Sequence, residues 1–259
     1  MNALDLRLTY VGGPTVLLEL GGVRLLTDPT FDPAGTEYRT SAYTLRKTQD
    51  PALLPDAVGA LDAVLLSHDH HFDNLDRAGR ELLAHAPRVL TTPAGATRLG
   101  GHATGVDAWQ IVDLPASNGR VLRVTGTPCR HGPADGDRGP VTGFALAFAD
   151  RPGEVVYVSG DTVWYEGVAE VARRFSVRFA ALFMGAARVA AVGPAHLTFT
   201  ASEGVSAAQA FPEAAIIPLH YEGWEHFSES RPDIERAFRA AGLEHRLRWL
   251  EPGRGTRLA

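Results

Sequence analysis

The segment from Ala63 to Asp76 constrains this chain more than any other stretch, because a short apolar run ends there in side chains that bind metals. The run AVLL is typical of a buried strand. Three histidines and three aspartates follow within nine residues. His68 and His70 are separated by one residue, and an extended segment would place both imidazoles on the same side, where one ion could bind both. The segment therefore predicts part of a metal site, whose remaining ligands must come from elsewhere in the chain.

The length and charge of the chain limit the class of protein. Its 259 residues suffice for one large domain, and no linker or repeat divides them, so we interpret residues 1–259 as a single domain. A net charge of −5 gives no electrostatic footprint for nucleic acid or for an anionic membrane surface. We therefore expect a small-molecule substrate and no nucleic-acid partner, while the oligomeric state stays open.

Three features of the sequence bear on the compartment. The single cysteine, Cys129, excludes an internal disulfide, which fits a reducing cytoplasm. Met1–Asp5 contains no basic segment followed by an apolar stretch, so we expect no secretory signal. The most apolar segment, 179–192, is interrupted by Arg188 and is too short to span a bilayer. We therefore expect a cytoplasmic protein without membrane insertion.

Hydrophobic patterning predicts strands interspersed with helices. Strand patterns cover 4–11, 15–20, 23–27, 63–66, 89–91, 106–114, 120–127, 141–148, 155–158, 179–184, 215–219 and 246–250. Helical patterns cover 51–58, 74–85, 93–99, 168–175, 201–211 and 233–241. Asp73 would cap the second helix, and residues 29–50, 132–140 and 185–199 are interpreted as loops. This order predicts one domain of two sheets with helices packed outside.

The polar residues of interest share one position, at or just beyond the C-terminal end of a predicted strand. Rigid scaffolds hold reactive groups in loops at such ends. The residues in question are Asp28, His68, His70, His131, Asp161 and His220. They are the candidates that would complete a metal site from distant parts of the chain.

These motifs resemble the metallo-β-lactamase superfamily over nearly the whole chain. Asp28 in LLTDP resembles the family's first aspartate, and SHDH resembles the first half of its His-x-His-x-Asp-His signature. The later motifs TPCRHG, VSGDT and IPLHY match its third histidine, its bridging aspartate and its last histidine. TDP, GPAHLT and PLHY are similar to the ascorbate-6-phosphate lactonase-like and phospholipase-D-like hydrolases. The resemblance implies an α/β (α+β) fold, a four-layer αββα sandwich with the site between the upper edges of the sheets.

The resemblance also implies how the ligands divide between two divalent ions. One ion would take three neutral imidazoles, from His68, His70 and His131. Asp161 would lie between this ion and a second one, which Asp73 and His220 would complete. Zn²⁺ is the first expectation, and Mn²⁺ or Fe²⁺ are alternatives. A metal-bound water has a pKa lowered to roughly 7 and supplies hydroxide at neutral pH.

The candidate catalytic residues are Asp73, Asp161 and His196. His196 lies in a Gly/Pro loop and would act as a general acid or as a donor to a developing oxyanion. An ordinary surface-loop histidine is the alternative. Either Asp73 or His196 would handle the proton in the reaction.

One departure from the family signature concerns the second ion. One residue is inserted after the second histidine, and Asn74 stands where the family has another histidine. A neutral amide oxygen is a poorer ligand than imidazole for an ion such as zinc. Three alternatives stay open: the second ion is weakly bound or absent, it is a harder ion such as Mn²⁺, or His71 substitutes as a ligand.

The sequence therefore predicts a metal-dependent hydrolase that uses metal-bound hydroxide on a small ester, lactone or phosphodiester. Four aromatic residues follow ligand positions and could wall the substrate pocket, with rim packing as the alternative: Trp164, Tyr165, Tyr221 and Trp224. A non-catalytic protein that keeps one structural metal is the second hypothesis, because of Asn74. A nucleic-acid-processing hydrolase is disfavoured, because neither a basic face nor an extra domain is visible in the sequence.

Overall fold

Two sheets packed face to face form the centre of the protein, which a computed structural model describes over residues 4–258. Residues 1–3, on which the expectation of no secretory signal partly depends, and residue 259, the last of the predicted domain, lie outside this range. The first sheet has seven strands, in the order β15 (Gly255–Leu258), β1 (Leu6–Gly12), β2 (Thr15–Leu20), β3 (Val23–Thr27), β6 (Ala63–Leu65), β7 (Val89–Thr91) and β8 (Ala103–Gly105).

The second sheet has six strands, in the order β14 (Ala215–Leu219), β13 (Val177–Phe183), β12 (Val155–Val158), β11 (Thr142–Phe148), β10 (Val121–Pro128) and β9 (Ile111–Pro115). A separate hairpin consists of β4 (Glu37–Arg39) and β5 (Thr44–Arg46). In the first sheet β3, β6 and β7 run parallel, and in the second β12, β13 and β14 do the same. The carboxyl ends of these strands therefore share one edge of each sheet, the usual place for a site in such sheets.

Helices cover the outer faces of both sheets. They are α1 (Pro55–Val58), α2 (Arg77–Leu83), α3 (Pro93–Leu99), α4 (Glu166–Arg174), α5 (Ala201–Ala210) and α6 (Arg231–Ala240). Leu18, Phe144 and Phe183 belong to the core between the sheets. One outer apolar cluster covers the first sheet and includes Val58 and Leu83, and α4, α5 and α6 contribute to a second cluster on the other sheet. These layers form the predicted αββα sandwich.

No helix within residues 4–258 combines the length and the apolar character that a bilayer span requires.

Three predicted elements differ from the structure. Residues 29–50 contain the hairpin of β4 and β5, whose Tyr38 and Leu45 are buried, so they are not a simple loop. The predicted strand 106–114 is right only from Ile111, where β9 begins, because Trp109 adopts a left-handed φ of 71° that interrupts the extended conformation before it. The predicted strand 246–250 is also wrong, since Leu247 makes a single bridge to Ile216 and the last strand is β15.

The second helix begins later than predicted. Asp76, rather than Asp73, caps α2, because its side chain accepts a hydrogen bond of 2.8 Å from the backbone N–H of Gly79. An extra turn precedes the helix, in which the backbone N–H of Leu75 donates to the carbonyl of His71. Asp73 therefore has no capping role and is available to the site.

Candidate metal centre

Asp28 and Ser67 fix the position of His68 just beyond the end of β6. The backbone N–H and the hydroxyl of Ser67 both donate to Asp28 Oδ1, at 2.8 and 2.7 Å. The Ser67 hydroxyl also lies 2.9 Å from His68 Nδ1. Asp28 has a positive φ of 29°, an uncommon conformation for a residue other than glycine. A buried carboxylate that orients a histidine through one neighbour is typical of the support around metal ligands.

The structure places His71 between His68 and His131. His71 Nδ1 lies 3.0 Å from His68 Nε2 and 3.1 Å from His131 Nε2. His131 is held from its other side, since its Nδ1 lies 2.7 Å from the carbonyl oxygen of Leu197. Ring nitrogens of His68 and His131 therefore both lie close to His71 Nδ1, and three imidazoles are a ligand set that suits a tetrahedral ion with an open position.

His70, which the one-residue spacing favoured, lies at the edge of this cluster. It is exposed, and its Nε2 lies 2.9 Å from the carbonyl oxygen of Arg138. Its nearer ring nitrogen is still within 4.8 Å of ligand atoms of His68 and His71. His70 therefore stays a candidate ligand beside His71. The spacing alone does not decide between them, because β6 ends at Leu65 and the following residues are turns, in which alternate side chains need not share a side.

A second group of potential ligands shares Asp161 with the first. Ligand atoms of His68, His131 and Asp161 lie within 4.8 Å of one another, and so do those of Asp73, Asp161 and His220. His220 Nε2 lies 3.5 Å from Asp73 Oδ2 and 3.6 Å from Asp161 Oδ1. Asp161 thus lies within reach of both sets of potential ligands.

Burial keeps the imidazoles of the first group neutral. It holds the pKa of His68 well below its ordinary value, and with neighbouring histidines it lowers the pKa of His131 to about 3. Burial also lowers the pKa of His71 to about 4. Neutral imidazole is the form that binds a metal, so the protein need not give up protons from these residues to take an ion.

Three buried carboxylates lie in the site, and for two of them the protein alone disfavours the charged form. Burial raises the pKa of Asp28 to about 8, and burial together with Asp73 raises that of Asp161. Asp73 is the exception, because His226 and His220 overcome its burial and hold its pKa well below the usual range. Carboxylates crowded in this way favour a bound cation.

Unpartnered atoms provide the test of whether a divalent ion fits. Buried polar groups are rarely left without a hydrogen bond, yet several described atoms of this cluster lack one: Asp28 Oδ2, Asn74 Oδ1, Asp161 Oδ2 and both ring nitrogens of His220. They are carboxylate, amide and imidazole atoms, the ligand types of zinc, iron and manganese sites. The residues therefore fit a centre for one or two divalent ions.

Asn74 contacts the bridging carboxylate. Its side chain is fully buried, and its Nδ2 donates to Asp161 Oδ1 at 3.3 Å and approaches the Ser67 hydroxyl at 3.5 Å. In this orientation the amide holds Asp161 in place. Of the three alternatives for the second ion, substitution by His71 is not what the geometry favours, because His71 belongs to the three-imidazole group.

Three residues that no sequence motif indicated line the cavity over these ligands. The cavity has a volume of about 170 Å³, and Tyr43, Arg138 and His226 line it together with His71, Asp73 and His131. His226 Nε2 donates to Asp73 Oδ2 at 3.0 Å, and only 9% of its side chain is exposed. The sequence feature that could have indicated His226 is its position six residues after His220, in HYEGWEH.

Several predicted pocket residues lie elsewhere. His196 is half-buried, and its Nδ1 lies 3.4 Å from the carbonyl of Ala186, while the neighbouring Leu197 lines the cavity. None of the four predicted aromatic residues is among the lining side chains. They pack against other side chains instead, which agrees with the alternative of rim packing. Trp164 and Tyr165 pack around α4, Tyr221 packs on Trp249, and Trp224 packs with Tyr38. Aromatic rings next to strand ends fill the rim of the core here.

Comparisons with known proteins agree with this architecture. A model of the beta-lactamase superfamily domain matches residues 23–221. A UPF0173 metal-dependent hydrolase of Opitutus terrae is 30% identical over 261 residues, which cover 96% of this chain and 98% of that protein. The match therefore runs through all the candidate ligands.

Two solved structures are similar over nearly their whole length. A possible metal-dependent hydrolase from Veillonella parvula has a TM-score of 0.83 at 20% identity, covering 99% of this chain and 100% of that chain. The isothiocyanate hydrolase from Delia radicum gut bacteria has a TM-score of 0.82 at 20% identity, covering 97% and 99%. At this identity the likeness establishes a common fold.

Proposed function

Because the chain belongs to the beta-lactamase superfamily, we propose that it is a metal-dependent hydrolase of a small ester, lactone or phosphodiester. The class of enzyme agrees with the named relative that spans nearly the whole chain. The narrower likeness to lactonase-like and phospholipase-D-like hydrolases stays a prediction. The following observations support hydrolysis at a metal centre.

The observation that carries the proposal is the position of Asp161 between two ligand groups. One group offers three neutral imidazoles and the other offers Asp73 and His220, and Asp161 lies within reach of both. Divalent ions in such a site would lower the pKa of a coordinated water to roughly 7 and polarise the oxygen under attack. This mixed set of imidazoles and carboxylates suits Zn²⁺ first, with Fe²⁺ or Mn²⁺ as alternatives.

The protein's own residues have separate roles in this proposal. His68, His71 and His131 bind and orient, and Asn74 holds the shared carboxylate of Asp161. His226 donates to Asp73 in the cavity wall and orients the carboxylate, which can carry the proton to or from the reacting group. In this proposal Asp73, rather than His196, handles the proton.

The test of the proposal is a combined measurement of metal content and hydrolysis. We expect purified wild-type protein to contain at least one equivalent of metal by elemental analysis and to hydrolyse small lactones or phosphodiesters once supplied with Zn²⁺, Mn²⁺ or Fe²⁺. Asp161→Asn should lose both properties. Stoichiometric metal without any hydrolysis would favour the alternative of a binding protein with a structural metal. Absence of both metal and hydrolysis would overturn the assignment.

Replacement of His226 tests its role as a positioning residue for Asp73. We expect His226→Ala to lower kcat by about 10- to 100-fold, the usual cost of losing a support of this kind, with the metal content retained. His226→Gln should recover part of the rate, because the glutamine amide can still donate to the carboxylate. A glutamine variant as slow as the alanine variant would contradict positioning.

A further inference from the structure

We infer that Arg138 and Tyr43 form an anion-binding subsite in the cavity wall, so that the substrate carries a carboxylate or phosphate beside a short apolar body. The inference rests on the proposed function for the reaction, but the binding it describes is measurable without turnover. Arg138 and Tyr43 line the same cavity as the candidate ligands His71, Asp73 and His131. An anion bound there would lie next to the reacting group.

The backbone of Arg138 is tied directly to the histidine cluster. Its N–H donates to the carbonyl of His131 at 3.0 Å, and its carbonyl lies 2.9 Å from His70 Nε2. This contact gives His70 a function outside the three-imidazole group. The backbone from which the Arg138 side chain extends is therefore held in place relative to the proposed metal centre, as a group that orients a substrate requires.

The guanidinium of Arg138 does not use all of its hydrogen-bond donors within the protein. Its Nη2 donates to the carbonyl of Val192 at 2.6 Å, which holds it against the segment 185–199. Its Nε is buried and has no hydrogen-bond partner among the described residues. A buried donor without a partner costs free energy. The guanidinium fork matches carboxylate and phosphate geometry, so an anionic ligand would satisfy the remaining donors.

The Tyr43 hydroxyl is a suitable second donor. Burial and the Asp73 carboxylate raise its pKa, and the Arg138 guanidinium opposes that rise. The phenol is therefore protonated at neutral pH and lies within electrostatic reach of both groups. Among the described residues that line the cavity, Arg138 is the only lysine or arginine. These two residues make one side of the cavity favourable for negative charge.

The volume of the cavity and its other lining residues limit the size and polarity of the rest of the substrate. A volume of about 170 Å³ corresponds to roughly five or six water molecules at about 30 Å³ each. Pockets for drug-sized ligands begin at about 300 Å³, so the part of the substrate that enters this cavity is small. Leu45, Val189 and Leu197 supply the apolar part of the wall. The cavity thus suits a short aliphatic ester or lactone that carries one anionic group.

Calorimetric titration of the metal-loaded protein tests the subsite with three probes: butyrate, inorganic phosphate and the neutral amide butanamide. We expect wild type to bind at least one anion more tightly than butanamide. Arg138→Gln should weaken that anion roughly tenfold, because a hydrogen bond to a charged group is lost. Whichever of butyrate and phosphate loses more affinity in Arg138→Gln indicates whether the anionic group of the substrate is a carboxylate or a phosphate.

Two further variants separate charge recognition from structural effects. Arg188→Gln removes the same charge from an exposed residue outside the cavity and should leave anion affinity unchanged. Arg138→Lys keeps the charge without the fork and should give an intermediate affinity. Equal anion affinity in wild type and Arg138→Gln would overturn the inference. An equal loss of affinity for the anion and for butanamide would also overturn it, because Arg138 would then only hold the loops 132–140 and 185–199 together. Neither result depends on hydrolysis.

Discussion

His71→Ala is expected to empty the metal centre, whereas His70→Ala is expected to leave the metal content close to wild type. His71 Nδ1 lies between the ring nitrogens of His68 and His131, and its removal leaves two imidazoles where the site needs three. Metal affinity should fall by more than roughly 100-fold, the upper end for loss of a mere supporting contact. Activity should be lost with the metal.

His70 is the matched control because it is the same residue type at the adjacent position. Its ring is exposed and bonded to the Arg138 carbonyl, so its loss should affect anion binding rather than metal content. Metal equivalents after dialysis against a weak chelator, measured for both variants, check the prediction, and circular dichroism checks that each variant is folded. Loss of metal from His70→Ala with retention in His71→Ala would restore the spacing argument and refute the geometric one.

His70 and His71 illustrate which parts of the metal centre can be predicted from the sequence and which cannot. The strand-end positions of Asp28, His131, Asp161 and His220 were predictable, because apolar runs that stop abruptly fix both the strand and the residue after it. The choice between His70 and His71 was not. It depends on turn geometry beyond Leu65, where side chains no longer alternate. Hydrophobic periodicity says nothing about side-chain direction in a turn.

The cavity wall was less predictable for a related reason. Tyr43, Arg138 and His226 come from a hairpin and two loops, whose mutual placement is set by tertiary contacts rather than by local pattern. Residues 29–50 lacked a clear strand pattern, yet Tyr38 and Leu45 are buried against Trp224. Such packing decides where Tyr43 lies and cannot be inferred from spacing. The metal ligands could be predicted because histidine and aspartate side chains are rare directly after buried strands. The residues of the cavity wall are of types that are common in any surface loop.

Lys47→Met is expected to lower the free energy of unfolding by about 3–5 kcal/mol, because it leaves a buried carboxylate without its partner. Lys47 Nζ lies 3.1 Å from Asp76 Oδ2, and the two side chains are 5% and 0% exposed. Asp76 also caps α2 and accepts the backbone N–H of Asp32 at 2.7 Å. The pair thus connects the end of the β4–β5 hairpin to the segment that carries the metal ligands. For a chain of this size Tm should fall by roughly 10 °C.

Arg46→Met is the control for this change, because Arg46 is the neighbouring residue and its ion pair with Glu37 is largely exposed, at 52% and 32%. Exposed pairs contribute about 0–1 kcal/mol, so its Tm should barely move. The double variant Lys47→Met with Asp76→Asn should recover part of the loss, since asparagine still caps a helix and no buried charge is left. Denaturant unfolding of wild type, of the single variants Lys47→Met and Asp76→Asn and of the double variant measures the coupling. If Lys47→Met were no more destabilising than Arg46→Met, the buried pair would not be what holds the hairpin beside the metal centre.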